Sequence, residues 1–403
     1  MRHFICLFLI FVFSFYAFAE GSRVSAVRFE GLKKTKESYV QKLLEKYAGM
    51  EEENVDIKEI ETLLQAQGLF SEINVSLSSE GEETPHTVIV IKVKEKITFL
   101  PLPFASYSSD GFMGGFMLMN MNAFGKKYTL VGGGIFSPSA QTGMLAFAKP
   151  AVDMQHPGFS FYTSLSRKNL EFLNFAGDTV MENKYFTAAA DLSVSEKLLP
   201  FFTCSIGSHF DMADVLETDE YPVLYQWAGT MSFSLQNVNW NGWYLISQSA
   251  SLKGELGWSS EDRLIGGCSF KGELQVPFVP RVRGIFSGAG AFTYNQNEVF
   301  RLSKSSGASA ILDSKFRTDF IAGTGFTVEA ALLKRKFGTV SVYGSYEYVI
   351  VHDFDDTFKS SNGPGFGGKL YLQQVAFPAV VMGAAYNIKR NKWQYVISVG
   401  VNF

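Results

Sequence analysis

The chain is poor in charge, cysteine and histidine, and each shortage removes a class of protein. Asp, Glu, Lys and Arg make up only 19% of the 403 residues and the formal net charge is -3. With no basic surplus to neutralise phosphates, the composition argues against a nucleic-acid partner. Of three cysteines, Cys6 lies too early for a lipobox, and Cys204 with Cys268 cannot build a disulfide framework, although a single bridge stays open. The five histidines (His3, His86, His156, His209, His352) are scattered, with neither a metal-ligand spacing nor an H-E-x-x-H pair. No G-x-S-x-G elbow occurs, and Gly132 to Gly134 and Gly365 to Gly368 lack a phosphate-loop Lys-Ser/Thr. Met113, Met117, Met119 and Met121 read as one face of a strand, and Asp353, Asp355 and Asp356 as a solvated loop short of calcium ligands. The chain therefore reads as a non-enzyme without metal or cofactor.

What is present is apolar and small. Hydrophobic residues make up 46% and aromatics 15%, with Gly 37 and Phe 38, too apolar for disorder and too glycine-rich for a helical bundle. Arg2 and His3 precede an apolar run from Phe4 to Phe18, and Ala17-Phe18-Ala19 before Glu20 forms an A-x-A pattern. Residues 1–19 thus read as a secretory signal peptide. That run is shorter than the roughly 20 residues of a spanning helix, and no later window is as apolar for as long. Charge then divides the rest: residues 20–96 hold 11 basic and 15 acidic side chains in 77, residues 97–403 hold 24 and 24 in 307. A soluble-looking domain precedes a large, sparsely charged one, with Pro101 and Pro103 at the junction.

In the small domain, Val24 to Leu32 alternates as a strand. Thr35 is placed to cap a helix carrying Tyr39, Val40, Leu43, Leu44 and Tyr47, which Gly49 stops. Asn54 is placed to cap a second helix with Val55, Ile57, Ile60, Leu63 and Leu64 on its apolar face, closed by Gly68. Ile73, Val75 and Leu77, then Val88 to Val93, form two strands, so the order is β-α-α-β-β. The stretches Val27-Arg28-Phe29-Glu30-Gly31-Leu32, Thr35 with its helix, and Gly68-Leu69-Phe70 before Ile73-Asn74-Val75 resemble a POTRA domain, assigned here to residues 22–96. Phe29 and Phe70 read as its core and Gly31 and Gly68 as turn glycines. Open strand edges of such a domain can accept an extended client by backbone pairing.

Residues 97–403 form segments of about ten residues alternating large apolar with small or polar side chains, broken by Gly, Asn, Asp, Ser and Pro clusters, as a transmembrane β-barrel requires. Strands are expected near 104–109, 114–122, 128–136, 143–151, 159–167, 185–194, 201–209, 226–237, 244–257, 267–278, 283–294, 316–332, 338–351 and 392–403. The apolar stretch 369–388 gives fifteen strands if it is one, sixteen if it splits at Phe377-Pro378. Bacterial single-chain barrels have even counts, which selects a sixteen-stranded antiparallel barrel, with fourteen as the fallback. Long loops are then expected near 170–184, 210–225, 295–315 and 352–368, all on one side. At the end, Trp393, Tyr395, Ile397, Val399, Val401 and Phe403 point one way. This ending resembles the C-terminal β-signal of bacterial outer-membrane proteins, with Tyr395, Ile397, Val399, Val401 and Phe403 as its side chains.

A POTRA domain before such a barrel resembles the BamA/TamA superfamily, which includes bacterial surface antigens and two-partner-secretion transporters. Tyr107-Ser108 before Gly111, Asn122-Ala123-Phe124-Gly125 and Lys149-Pro150 resemble the opening strands of that family, and Gly266-Gly267, Glu273 and Pro277 its G-G…E…P strand. The resemblance implies an outer-membrane protein with a periplasmic POTRA domain. Its partners would be outer-membrane lipid, extended envelope-protein clients and periplasmic accessory subunits, and the first and last strands would form a seam that opens. It also implies a loop tipped with Arg-Gly-Phe or Arg-Gly-Tyr, folded back onto the inner wall before the G-G strand. Only Ser259 to Leu264 precede Gly266, which leaves Arg263 for that role, with Glu273 as its carboxylate partner beside Gly266 and Gly267. Val282-Arg283-Gly284 copies the letters but follows the G-G strand, and reads as coincidence. That strand counts as tenth, whereas the family has it twelfth, so either two early strands are hidden or the chain is shortened. The apparent lack of the loop favours a rival reading, a surface antigen or channel without insertase activity.

Overall fold

The structure, a computed structural model, describes residues 22–80, 86–108, 111–151, 156–216, 222–240, 243–307, 309–335, 338–372 and 378–399. The signal-peptide assignment, Val401 and Phe403 lie outside the described residues. Two compact units are present, one built from the chain up to Thr98 together with Asn122–Lys127, the other from Phe99–Met121 and Tyr128 onward.

The first unit runs β1 (Val24–Glu30), α1 (Glu37–Leu43), α2 (Ile57–Ala66), β2 (Phe70–Glu80) and β3 (His86–Glu95). Its sheet order is β1-β3-β2, with β1 parallel and β2 antiparallel to the central β3. Val40 and Leu44, then Ile60 and Leu64, bury the helical faces against Val75, Ile89 and Ile91 of the sheet. Phe70 is buried in this core and Phe29 packs on its margin. The expected caps differ. Lys36, not Thr35, stands at the N-cap of α1 and offers no side-chain bond. Asp56, not Asn54, caps α2, its Oδ1 accepting the amides of Lys58 and Glu59 at 2.9 and 3.2 Å. Asn54 lies in a separate 3-10 turn. Thr35 instead ends a turn organised by Glu95, whose carboxylate accepts the backbone N–H groups of Lys33, Lys34 and Thr35 at 2.8 to 3.2 Å. Gly31 makes that turn possible: its φ is +92°, and a Cβ there would lie 2.1 Å from the carbonyl oxygen of Val93.

The second unit is a closed antiparallel barrel of sixteen strands. They are β4 (Phe99–Ser108), β5 (Gly111–Ala123), β6 (Tyr128–Ser137), β7 (Ala140–Lys149), β8 (Gly158–Leu173), β9 (Thr179–Leu199), β10 (Phe202–Val215) and β11 (Leu224–Trp240). Then follow β12 (Leu245–Ser259), β13 (Leu264–Val279), β14 (Val282–Tyr294), β15 (Phe320–Arg335), β16 (Gly338–His352), β17 (Phe358–Leu372), β18 (Pro378–Asn387) and β19 (Lys392–Val399). Each strand pairs with its sequence neighbours and β19 closes on β4. The stretch 369–388 does divide, with β17 ending at Leu372 and β18 beginning at Pro378, so the count is sixteen. Alternation sets the faces. Phe112, Phe116 and Leu118 of β5, Leu252, Leu256 and Trp258 of β12, and Tyr395, Ile397 and Val399 of β19 are exposed on the outside, as a lipid-facing wall requires. Met117 of the methionine stripe is buried on the inner side. No helix among the described residues is long and apolar enough to cross a membrane; with sixteen closed strands, every ladder has a partner without one.

Two of the four expected long loops are mostly strand, because β8, β9 and β17 run on through them and leave only 174–178 and 353–357 as connections; β10 likewise runs on to Val215 into a third. In the β8–β9 hairpin Leu170, Phe172 and Tyr185 stay buried on the inner side, while the outer side carries Arg167, Asn169 and Lys184, so apolar alternation ends on one face while the hydrogen-bond ladder continues. Residues 295–319 remain the one long connection, and it follows the eleventh barrel strand.

Candidate functional site in the barrel lumen and at its seam

Residues 295–307 and 309–319 fold into the barrel. Ile311, Leu312 and Phe316 are fully buried against Ile321, Val349 and Val351 of the wall, and Phe175 meets Phe316 edge-on at 6.3 Å. Wall side chains grip the loop mainly by its backbone. Glu347 Oε2 accepts the amide of Ala310 at 2.8 Å and Asn387 Nδ2 donates to the carbonyl of Ile311 at 3.1 Å. Lys392 Nζ meets Asp313 Oδ2 at 3.1 Å. The long folded-back loop that seemed missing is therefore present, but it precedes the twelfth strand, β15, while Gly266 and Gly267 sit in the tenth. No early strand was hidden. The strand after the loop carries Gly323, Gly325 and Glu329.

The assignment of Arg263 to the inner wall is overturned. Arg263 lies in the tight turn between β12 and β13, with its side chain 57% exposed and its recorded partner Glu261 at 3.7 Å. Glu273 faces inward on β13, opposite Ser249 and Ser287, and accepts from Gln275 Nε2 at 2.6 Å. Ten residues of extended strand, about 33 Å, separate the two. Gly267 is an inward position where a Cβ would meet the carbonyl oxygen of Phe292 at 2.9 Å, whereas Gly266 faces outward.

The arginine that does sit on the inner wall is Arg283, at the start of β14. Its side chain is 7% exposed and that of Glu329, opposite it on β15, 0%; Nη2 and Oε2 are 2.9 Å apart. Arg283 also donates to Gln275 Oε1 at 2.8 Å and to Tyr371 Oη at 3.0 Å, and lies 4.2 Å from the ring centre of Tyr244. Glu329 Oε1 accepts from Ser341 and Tyr371 at 2.5 and 2.8 Å, and Lys369 Nζ approaches Oε2 at 3.5 Å. Four strands, β14 to β17, thus meet at one carboxylate, and Gln275 of β13 joins through Arg283. With cations and hydroxyls on both oxygens, Glu329 has no lone pair left for a general base, and the cluster ties neighbouring strands together along the inner wall. A second tie holds His209 between Asp191 and Asp211 at 2.7 and 2.6 Å, with Gln226 donating to Asp211 at 2.9 Å. Among the described residues no group of three or more His, Cys, Asp or Glu side chains is arranged to hold a metal ion.

The seam between β4 and β19 pairs Ala105 to Ser108 with Val399 to Val396 among the described residues. Tyr395, Ile397 and Val399 are therefore at the seam, facing outward. Tyr107 and Tyr395 meet across it with ring centroids 6.0 Å apart. In the first unit β1 and β2 are both sheet edges. The β1 edge is engaged at Val24 by Gly49 and Met50, while the described residues leave the outer edge of β2 without a strand partner. At the opening-strand motif, Asn122 Oδ1 accepts the amide of Lys127 at 2.8 Å in a tight turn where Phe124 and Gly125 take φ of 59° and 70°.

Residues 22–96 match the family model described as POTRA, surface antigen variable number repeat. No curated protein matches the sequence. Among solved structures the chain is similar to BamA from Haemophilus ducreyi lacking POTRA domains 1–3, at 13% identity and a TM-score of 0.68, covering 94% of this chain and 85% of that one. It is also similar to CdiB from Acinetobacter baumannii, at 11% identity and 0.65, covering 95% and 74%, and to CdiB from Escherichia coli, at 12% and 0.64, covering 94% and 76%. The fold defines an outer-membrane POTRA-barrel protein, with the POTRA domain on the periplasmic side. Within that class the chain carries one POTRA domain and a sixteen-stranded barrel of the BamA and CdiB fold.

Proposed function

We propose that this protein inserts or translocates other envelope proteins, with residues 22–96 and 97–403 as its functional halves and residues 1–19 as the export signal removed from it. The uncovered edge of β2, eleven residues long, offers an extended client a full row of backbone donors and acceptors. The β4–β19 seam offers the template on which new strands pair, and the C-terminal segment ending in Phe403 is its β-signal. The Arg283–Glu329 and His209 ties support the same reading: they join strands other than β4 and β19, between which the described contacts are backbone pairing and the Tyr107–Tyr395 ring contact. The likeness to BamA and CdiB fits a protein client and leaves insertion and translocation as the two forms of the activity. Periplasmic accessory subunits would then bring clients to the POTRA edge. The apparent lack of an inward loop favoured the channel or surface-antigen alternative, and the inward loop after β14 takes that support away from it.

The test is a reversible lock. Ser106 and Ser398 face each other across the seam. In the S106C/S398C variant, oxidation should stop insertion or passage of a client in liposomes, and reduction should restore it. Unchanged activity in the cross-linked protein would discard the seam mechanism, and full activity without residues 22–96 would discard the POTRA edge.

A further inference from the structure

We propose that the outer rim of the barrel carries a built site for the headgroup of an anionic outer-leaflet lipid, a phosphate with a neighbouring hydroxyl, on the ledge where β6–β7 ends beside β8–β9. The inference needs the outer-membrane placement but no particular client or transport activity.

The ledge comes from unequal hairpins. β6 and β7 turn at Pro138-Ser139, whereas β8 continues to Leu173 and β9 starts only at Thr179. The last bond joining the short hairpin to the tall one runs from the amide of Asn169 to the carbonyl of Ser139, at 2.7 Å. A cavity of about 190 Å³ opens there, lined by Ser137, Ser139, Gln141, Arg167, Asn169 and Lys184 among others, and no lining residue is acidic. Asn169 lies directly opposite Lys184, and Gln141 opposite Arg167. Alternation puts all four on the outer face, with the exposed Leu165 next below Arg167 and Leu145 and Phe136 on the neighbouring strands.

The height of the site identifies its ligand. Gly158 to Arg167 is ten residues of β8, the length in which a tilted strand crosses the hydrocarbon core, so Arg167 stands where the apolar band ends. Cations at that level face headgroups, and a phosphate there leaves its acyl chains on Leu165, Leu145 and Phe136. Among the described residues Arg167 makes no ion pair, so its guanidinium fork is available to a bidentate phosphate. Asn169 supplies the second requirement. Its Nδ2 is used by Glu182 Oε1 at 2.9 Å, but its Oδ1 is buried without a hydrogen-bond partner. A headgroup hydroxyl beside the phosphate provides the missing donor.

The experiment titrates full-length protein in neutral detergent with fluorescently labelled phosphatidylglycerol, phosphatidylcholine as the zwitterionic control, and glycerol phosphate as the headgroup without chains. The wild type should prefer phosphatidylglycerol, and R167Q/K184Q should weaken it on the order of 20-fold at low salt, two surface charges' worth. R167K/K184R should retain most of the binding, and K389Q/R390Q on another outer turn should leave it unchanged. Unchanged heat-modifiable migration checks that each barrel is folded. Equal binding of the two lipids, or of phosphatidylglycerol by wild type and R167Q/K184Q, overturns the proposal. So does displacement by glycerol phosphate at the same affinity as the lipid, which would make the cavity a free-anion site.

Discussion

Glu329 is the most deeply buried carboxylate of the wall, and its partners determine what losing any of them costs. Taking an ion pair out of water is repaid only while both members are present. Replacing Arg283 by methionine should therefore destabilise the barrel by about 3 kcal/mol or more, because Glu329 is left beside Lys369 alone. The double variant R283M/E329Q should recover a large part of that loss. Urea-induced unfolding in lipid vesicles measures both, and additive losses would show that the pair is not coupled. The residues themselves were legible only in part. Arg283 and Glu329 are rare charges at inward positions of neighbouring strands, a signal that alternation alone could have supplied. The position of Val282-Arg283-Gly284 after Gly266-Gly267 makes the motif look coincidental in sequence, whereas strand pairing sets Arg283 opposite Glu329. Arg263 sits beside Glu261 and Asp262, the composition of a solvated turn, and the structure places it in one.

At the scale of elements, strands were easier to read than their ends. β4 to β7, with short turns and strong alternation, appear almost where the pattern puts them, while β8, β9 and β17 outrun it once they leave the apolar band. The inward fold of residues 295–319 was illegible because its contacts with β16 and β18 are distant in sequence. In the POTRA unit the turn from Gly31 to Thr35 depends on a carboxylate sixty residues away. Burial pushes the Glu95 carboxyl up, but the backbone donors of Thr35, Lys34 and Lys33 outweigh it and hold it below the ordinary value of 4.5. A carboxylate held low stabilises the fold above its unfolded value and loses that contribution as pH falls through the folded one. E95Q should thus cost about 1–2 kcal/mol near neutral pH and nothing once Glu95 would be protonated. Thermal melts at successively lower acidic pH should show the gap between the two proteins shrinking; a gap independent of pH would assign the loss to packing instead.

The whole molecule joins a water-facing domain to a lipid-facing one, and the break in charge density near residue 97 announced this before any strand was counted. Two units with separate cores need not unfold together. Full-length protein in micelles should show two thermal transitions, with E95Q lowering only the POTRA transition; a single transition shifted as a whole would mean that the units fold as one. The barrel is also uneven around its circumference. From Phe99 to Lys149 the charged side chains are Asp110, Lys126, Lys127 and Lys149, with Lys126 and Lys127 in a turn and Lys149 at the end of β7, and none of them belongs to the groups around Glu329 and His209. Beside the seam the wall is lined by glycine and methionine, and the Cβ of an alanine at Gly133 would fall 2.3 Å from the carbonyl oxygen of Phe116. Such staves can bend or slip without breaking an ion pair, whereas those opposite cannot. The cylinder is stiff on one side and compliant on the other, and deformation imposed anywhere on it collects in the strands next to the closure.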